Sequence, residues 1–230
     1  MRKHKALFIT GTDTDIGKTW VSRCICDTLA KQYPTTYMKP VQSGCTTDEN
    51  GKLKAPDFDF IMEGKAQMTG SYEEHVPYRF EPACSPHLAA TLAGISISFD
   101  HISSSFNSLA AGAHFTLVEG AGGILAPLSE TTYIIDLIVH LNLPVIVVTS
   151  PNLGTLNHTF LTLRVLRESG LHIAGIIVND IDNTRESYIL QENQRMIRQH
   201  TAPIPFATIP FGASGSDQLE EFCDAVTKTL

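Results

Sequence analysis

The chain has 230 residues, 43% hydrophobic and 18% charged, with a formal net charge of −7 at pH 7. That is enough polypeptide for one α/β domain, residues 1–230, burying roughly 70–75% of its unfolded surface and needing neither disulfide nor metal to hold it together. No block of like charge occurs, so neither nucleic acid nor an anionic membrane is the expected partner, although a few lysines suffice for a local phosphate site.

Behind the basic start Met1–Lys5, the apolar run covers only Ala6–Ile9, too short for a signal-peptide core. Lys5–Thr10 reads as a strand ending at Gly11. Lys18 to about Tyr33 reads as a helix, with Val21, Ile25 and Leu29 on one face. Thr36–Val41 is a second strand, and Gly44–Pro56 a polar, exposed loop. Helices are expected at Pro86–Ala93 and Asp100–Ala111, then a strand at Phe115–Glu119. A helix near Tyr133–Leu141, a strand at Pro144–Thr149 and a helix at Leu156–Ser169 follow. The chain closes with a strand at Ile173–Asn179, a helix at Arg185–Arg198, a strand near Phe206–Ile209 and a helix at Asp217–Lys228.

Continuous apolar strands imply a sheet covered on both faces, and strand–helix alternation implies parallel pairing with right-handed crossovers. The most apolar late stretch, Leu143–Val148, is strand length and cannot span a bilayer. Cys24, Cys26, Cys45, Cys84 and Cys223 form no C-x-x-C and no zinc-type cluster with histidine, the pattern of a reduced protein. The expected location is the cytoplasm. In parallel sheets ligands bind at the carboxyl ends of the strands. Gly11 onward, Lys39, Glu119, Ser150 onward, Asn179 and Pro210 all fall there.

Gly11-Thr12-Asp13-Thr14-Asp15-Ile16-Gly17-Lys18-Thr19 lies between a strand and a helix. Backbone N–H groups of such a loop point at phosphate oxygens, and the helix N-terminus adds favourable field. Lys18 would reach the β- and γ-phosphates, and the Thr19 hydroxyl would coordinate Mg²⁺. The usual glycine of this pattern is expected at position 12, yet here it stands one residue early, at Gly11. A plain strand–turn–helix with a surface lysine is the bland alternative. Val118-Glu119-Gly120-Ala121-Gly122-Gly123 puts a carboxylate at a strand tip, a second anchor for Mg²⁺, with glycines that let a ligand approach the backbone. Read alone, it is equally a glycine turn with a solvated acid. Lys39 and Ser43 follow the second strand on the same rim, where a cation can neutralise a phosphoryl group or an anionic substrate.

Together with Lys39-Pro40-Val41-x-Ser43-Gly44, Ser85-Pro86-His87, Leu153-Gly154-x-x-Asn157-His158 and Asn179-Asp180, these motifs resemble the dethiobiotin synthetase family in order, from about Leu7 to Pro210. The resemblance implies a three-layer α/β/α P-loop NTPase fold with a central, mostly parallel sheet. It implies ATP- and Mg²⁺-dependent carboxylation of 7,8-diaminononanoate (7,8-diaminopelargonate) by CO₂, and ring closure to dethiobiotin. The carbamate would attack the γ-phosphate, and the second amine would then displace phosphate. Lys18 and Lys39 would supply cations, Thr14 and Ser43 hydrogen bonds to the carbamate. Thr19, Glu119 and Asp57 would hold Mg²⁺; spacing alone does not choose between Asp57 and Asp59. The resemblance also brings Asp13 to Trp20 (with Asp15, Ile16 and Gly17) and Gly122 to the nucleotide, and Asn179, Pro210, Phe211 and Gly212 to adenine. Gly154, Thr155, Leu156 and Asn157 would catch the substrate carboxylate from a neighbouring subunit of a homodimer, joined by Tyr188.

One departure is Ala83 where the family has proline, with Pro82 shifted by one. Thr12 stands where DNA-partitioning and nitrogenase-reductase relatives carry a signature lysine. Asn179-Asp180-Ile181-Asp182 mimics a guanine-reading N-K-x-D without its lysine, which leaves a GTPase switch as an alternative. A non-catalytic module on the same fold is another, opposed by the intact Lys18, Thr19 and Glu119. His87 and His158 lie within motifs but read as capping or packing residues rather than proton carriers.

Overall fold

The computed structural model describes residues 4–64, 66, 68–181, 187–213 and 217–230. In chain order the elements are β1 Lys5–Gly11, α1 Lys18–Leu29, β2 Thr35–Met38, β3 Val41–Gln42, β4 Thr46–Thr47, β5 Leu53–Lys54, α2 Pro56–Met62 and α3 Tyr72–His75. There follow β6 Tyr78–Arg79, α4 Pro86–Ala93, α5 Phe99–Gly112, β7 Phe115–Gly123, α6 Ile134–Leu141 and β8 Val145–Thr149. The last are α7 Thr155–Glu168, β9 Ile173–Asn179, α8 Ser187–Thr201, β10 Phe206–Ile209 and α9 Asp217–Thr229.

Six strands form the main sheet in the order β10-β9-β8-β1-β7-β2, with every neighbouring pair parallel. Because side chains alternate along a strand, β1 feeds two separate cores. Leu7 and Ile9 join the core beneath α1, α2 and α9. Ala6 and Phe8 join the core beneath α4, α5, α6 and α7. Strands β8 and β9 are buried along their whole length, which explains their unbroken runs of Val and Ile. This is the expected α/β/α sandwich.

Several boundaries differ from the sequence reading, each for a physical reason. Helix α1 stops at Leu29 rather than near Tyr33, because beyond Leu29 the chain tightens into turns: the Lys31 N–H donates to the Thr28 carbonyl at 3.3 Å and the Gln32 N–H to the Leu29 carbonyl at 3.0 Å. The expected strand Thr36–Val41 divides at Pro40, which has no N–H to give to a ladder. Its first part pairs with β7, while Val41–Gln42 pairs with β6 in a separate two-stranded sheet. The expected loop 44–56 contains the antiparallel β4–β5 pair, turned by the Asp48 carboxylate accepting from the Asn50 and Lys52 N–H groups at 2.9 Å each. Helix α8 is described from Ser187; its expected start at Arg185 and the Asp182 of the guanine-like motif lie outside the described residues.

Candidate active site

The loop between β1 and α1 is held by contacts that demand small residues. A Cβ on Gly11 would lie 2.7 Å from Ile16 Cδ1 and 3.0 Å from both the Asp13 carbonyl oxygen and Lys18 Cδ. The glycine one position early therefore has its own steric cause. Gly17 caps α1 with φ +80, and a Cβ there would lie 2.2 Å from Asn179 Nδ2. That amide donates to the Ile16 carbonyl at 3.0 Å, tying the loop to the tip of β9. The Thr12 hydroxyl donates to Thr149 Oγ1 at 3.2 Å, tying it to β8 as well. Asp13 Oδ1 accepts from the Thr14 N–H at 2.7 Å, and Lys18 Nζ donates to the Asp13 carbonyl at 2.9 Å.

A cavity of about 280 Å³ opens beside this loop, lined by Thr14, Asp15, Gly17, Lys18, Thr19, Lys39, Ser43, Asp57, Glu119 and Gly122, with Val41, Gln42 and Ala121. Four elements, α1, β3, α2 and β7, converge on it with the loops beside them. Glu119, with no exposed surface, sits midway along β7 rather than at its tip as expected, because the strand continues through Gly120–Gly123. Its Oε2 accepts from Ser22 Oγ at 2.7 Å and Tyr37 Oη at 3.0 Å. Its Oε1 accepts from Lys39 Nζ at 2.7 Å and Thr19 Oγ1 at 2.9 Å. Lys39 Nζ also lies 2.7 Å from Asp57 Oδ2, so one ammonium bridges the two acids. Thr19 and Gln42 hydrogen-bond Asp57 too.

The electrostatics follow from this packing. Burial opposes the charge on Lys39, but Glu119 and Asp57 outweigh it and raise its pKa above the ordinary lysine value. Burial also opposes the Asp57 charge, yet the Lys39 ammonium holds its carboxyl below the usual range. Lys18 has less help: burial and the Lys39 charge lower it to about 8. Burial and the neighbouring Glu119 raise the Tyr37 phenol well above its usual value, so it stays a hydrogen-bond donor.

The two acids that spacing could not separate occupy different surroundings. Asp57 faces the cavity, whereas Asp59 Oδ1 accepts from Tyr72 Oη at 2.8 Å on the far side of α2. A second hollow of about 250 Å³ adjoins the loop, lined by Gly17, Trp20, Asn179, Asp180, Ile181, Phe211 and Gly212. It gathers the expected adenine residues; Pro210 is the neighbour that ends β10. The Gly154–Asn157 segment lies elsewhere, at the start of α7. Thr155 is turned inward: its N–H donates to the Asn152 carbonyl at 3.0 Å, and its hydroxyl shares a network with Thr149 and Thr159. Tyr188 is exposed on α8. Neither lines the cavity.

Ser22, Tyr37 and Gln42 were not singled out from sequence. The first two had a legible signal: Ser22 follows Thr19 by three on α1, and Tyr37 precedes Lys39 by two along a strand, so each shares a face with its partner. Among the described residues no group of three or more His, Cys, Asp and Glu side chains is placed to hold a metal, and no helix is long and apolar enough to cross a membrane.

Residues 5–214 match the family model described as an AAA domain. The chain is 42% identical to the ATP-dependent dethiobiotin synthetase BioD of Anoxybacillus flavithermus, over 93% of this chain and 95% of that one. This chain belongs to the dethiobiotin synthetase family. The family's protein from Fusobacterium nucleatum is 39% identical over 85% of this chain and 86% of its own. Solved structures share the fold at low identity. A plasmid partition protein from Borrelia burgdorferi gives a TM-score of 0.58 at 13% identity, covering 99% of this chain and 98% of that one. The septum site-determining protein MinD from Pyrococcus horikoshii, complexed with Mg-ADP, gives 0.55 at 16% identity, covering 98% and 97%. At such identities the likeness concerns the fold alone. The sandwich is thus shared with proteins described by other roles, while of the family motifs only those around Lys18, Lys39 and Glu119 line the cavity.

Proposed function

We propose that this chain performs the reaction of its family, the ATP-dependent closure of 7,8-diaminononanoate and CO₂ to dethiobiotin, with release of ADP and phosphate. The observation that carries the reading is the convergence of two buried lysines, Lys18 and Lys39, on one cavity with the hydroxyls of Thr14 and Ser43. The chemistry must bring two anions together, a carbamate and a γ-phosphate, and only closely placed cations offset that repulsion. One amine adds to CO₂ and loses a proton to give the carbamate. A carbamate oxygen then attacks the γ-phosphorus, and ADP departs with the electron pair of the broken P–O bond. The second amine attacks the carbamate carbon, phosphate leaves, and the urea ring closes. Lys18 and Lys39 hold the anionic oxygens, while Thr14 and Ser43 orient the carbamate.

Nucleotide would lie along the Asp13–Trp20 loop, with adenine in the hollow of Asn179, Phe211 and Gly212 beside Pro210. Thr19, Asp57 and Glu119 would hold Mg²⁺. The donor set fits, since two carboxylates and a hydroxyl suit a hard ion that keeps waters and phosphate oxygens as its other ligands. The acid pair already accepts a cation, the Lys39 ammonium. When bound, the ion would neutralise charge on the β- and γ-phosphates. The substrate carboxylate would meet the helix start at Gly154–Asn157 of a second copy, with Tyr188 beside it. The working form would then be a cytoplasmic homodimer without nucleic-acid or membrane partners. Incubating the protein with ATP, Mg²⁺, bicarbonate and diaminononanoate should give dethiobiotin by mass spectrometry. Absence of that mass, with a folded and nucleotide-binding protein, refutes the assignment.

A further inference from the structure

Glu119 divides its two oxygens between different tasks. Oε2 is anchored by Ser22 and Tyr37, both of which sit in the core behind the site. Oε1 is the oxygen shared by Thr19 and Lys39, on the side of Asp57. The three groups proposed above as metal donors thus all contact, or share an oxygen with, the Lys39 ammonium. Lys39 is 4% exposed, so its charge is balanced by this acid pair rather than by water. Two cations at contact distance from the same pair of carboxylate oxygens repel each other strongly. The repulsion is the stronger because Lys39 and Glu119 are cut off from water and, of the three groups, only Asp57 is partly exposed.

We infer that Lys39 is an exchangeable internal cation: its ammonium holds the place between Asp57 and Glu119, and a divalent ion taking these oxygens moves it into the cavity. Ser22 and Tyr37 act as positioning residues, keeping Oε1 toward that shared place. The exchange has a chemical purpose. While it bridges the acids, Lys39 is neutralised and of little use to an incoming anion. Released, it keeps its charge and a flexible four-carbon stem, and the anions of the reaction become its partners. Metal loading and the arming of the lysine are then one event, and neither acid is left unpaired before the metal arrives. The inference rests on the metal assignment proposed above.

The test is direct binding of Mn²⁺ without nucleotide, read by electron paramagnetic resonance. Lys39→Met removes the competitor and should tighten Mn²⁺ by at least about tenfold, although it would abolish turnover. Lys18→Met removes a charge from the same cavity that does not bridge the acids, and should tighten it by less than about threefold. Equal effects from the two variants, or no gain in Lys39→Met, overturn the exchange. Tyr37→Phe should weaken Mn²⁺ several-fold in a protein that still melts cooperatively; unchanged binding would reduce Tyr37 to a core residue. Wild-type protein provides a measurement free of folding effects. Acetic anhydride labelling of Lys39, followed by mass spectrometry, should rise several-fold on saturating Mg²⁺ alone, because the displaced side chain moves from its buried place between the acids into the open cavity. Binding of Mn²⁺ with Lys39 still protected overturns the exchange alone. No Mn²⁺ binding by wild type would instead remove the metal assignment beneath it.

Discussion

Lys18 and Lys39 are chemically identical and almost equally buried, yet their surroundings drive them in opposite directions. Lys39 has two carboxylates at 2.7 Å, whereas Lys18 has the Asp13 carbonyl and the repulsion of Lys39. In the proposed reaction the anionic partner of Lys18 would be a phosphate. Lys18→Ala should therefore lower turnover by about a thousandfold or more while shifting the melting temperature by less than about 5 °C. Activity within tenfold of wild type would remove the phosphate loop from the mechanism. Asp57 and Asp59 give a paired contrast two residues apart. Asp57→Asn should lower the rate by about a hundredfold and raise the Mg²⁺ needed for half-maximal rate, because a hard cation prefers a charged oxygen. Asp59→Asn should cost about 1 kcal/mol of stability through the Tyr72 contact, with the rate within about threefold. Steady-state rates with a denaturant titration separate the two, and the reverse order would exchange their roles.

The element that presents Asp57 is short, and its neighbours fix its direction. Helix α2 begins with Pro56 at its first turn, its entry pinned by the Ala55 N–H donating to Tyr72 Oη at 2.7 Å. Phe58 stacks on His75 with ring centroids 4.6 Å apart, and His75 shares a hydrogen bond through Nδ1 with the Tyr37 carbonyl of β2. Burial lowers the His75 pKa below its usual 6.5, partly opposed by that carbonyl. Above pH 6.5 the imidazole is neutral in both folded and unfolded chains, so its contribution is fully present. As pH falls below 6.5, the unfolded chain takes up a proton that the folded one resists, and stability is lost. Replacing His75 by Phe keeps a ring against Phe58 and removes this titration. Denaturant midpoints between about pH 5 and 7.5 should fall less steeply with acid in the variant; parallel slopes would mean that other groups set the acid limit. Little of this clamp was legible in the sequence. Helix α3 has four residues and the strands flanking Tyr72 have two each, lengths that carry no periodicity. Strands β1, β8, β9 and β10 and helix α4 were legible within a residue, because an apolar run bounded by Pro or Gly has few other readings. Strand β7, by contrast, runs four residues past its expected end at Glu119, through glycines that carry no strand signal. In the site, Lys18 was legible from the Gly-Lys-Thr that opens a helix, and Lys39 and Glu119 from their places at the ends of the expected strands. Ser22 and Tyr37 carried a signal only in their spacing from Thr19 and Lys39, because either residue type in a buried element passes for packing until its partner is seen.

At the scale of the whole molecule, the two layers beside the sheet differ in what they expose. Large apolar side chains stand out on or beside α4, α6 and α7: Leu88, Leu92, Ile95, Leu125, Tyr133, Val139, Leu153 and Leu161. Such a concentration on one layer is the kind of surface that meets a second protein. Leu153 is 95% exposed and immediately precedes Gly154, the cap of α7. The proposed substrate has its amines at one end of a C9 chain and its carboxylate at the other. With the amines near Lys18 and Lys39, the carboxylate has to reach a helix start that lines no part of that cavity. A two-fold axis supplies one from the neighbouring copy and serves both sites with the same patch. Two inactive variants test this together: Lys18→Ala, which loses phosphate transfer, and Asn157→Asp, which repels the carboxylate. In a mixed dimer one site carries both defects and the other carries neither. Random exchange of an equal mixture makes half the dimers mixed, each with one working site of two. About a quarter of wild-type activity should then return, although each variant alone stays inactive. A fluorescence label on one variant confirms exchange, and saturating substrate with each variant alone measures the baseline. Exchange without recovered activity would place the carboxylate site and the lysines within one chain.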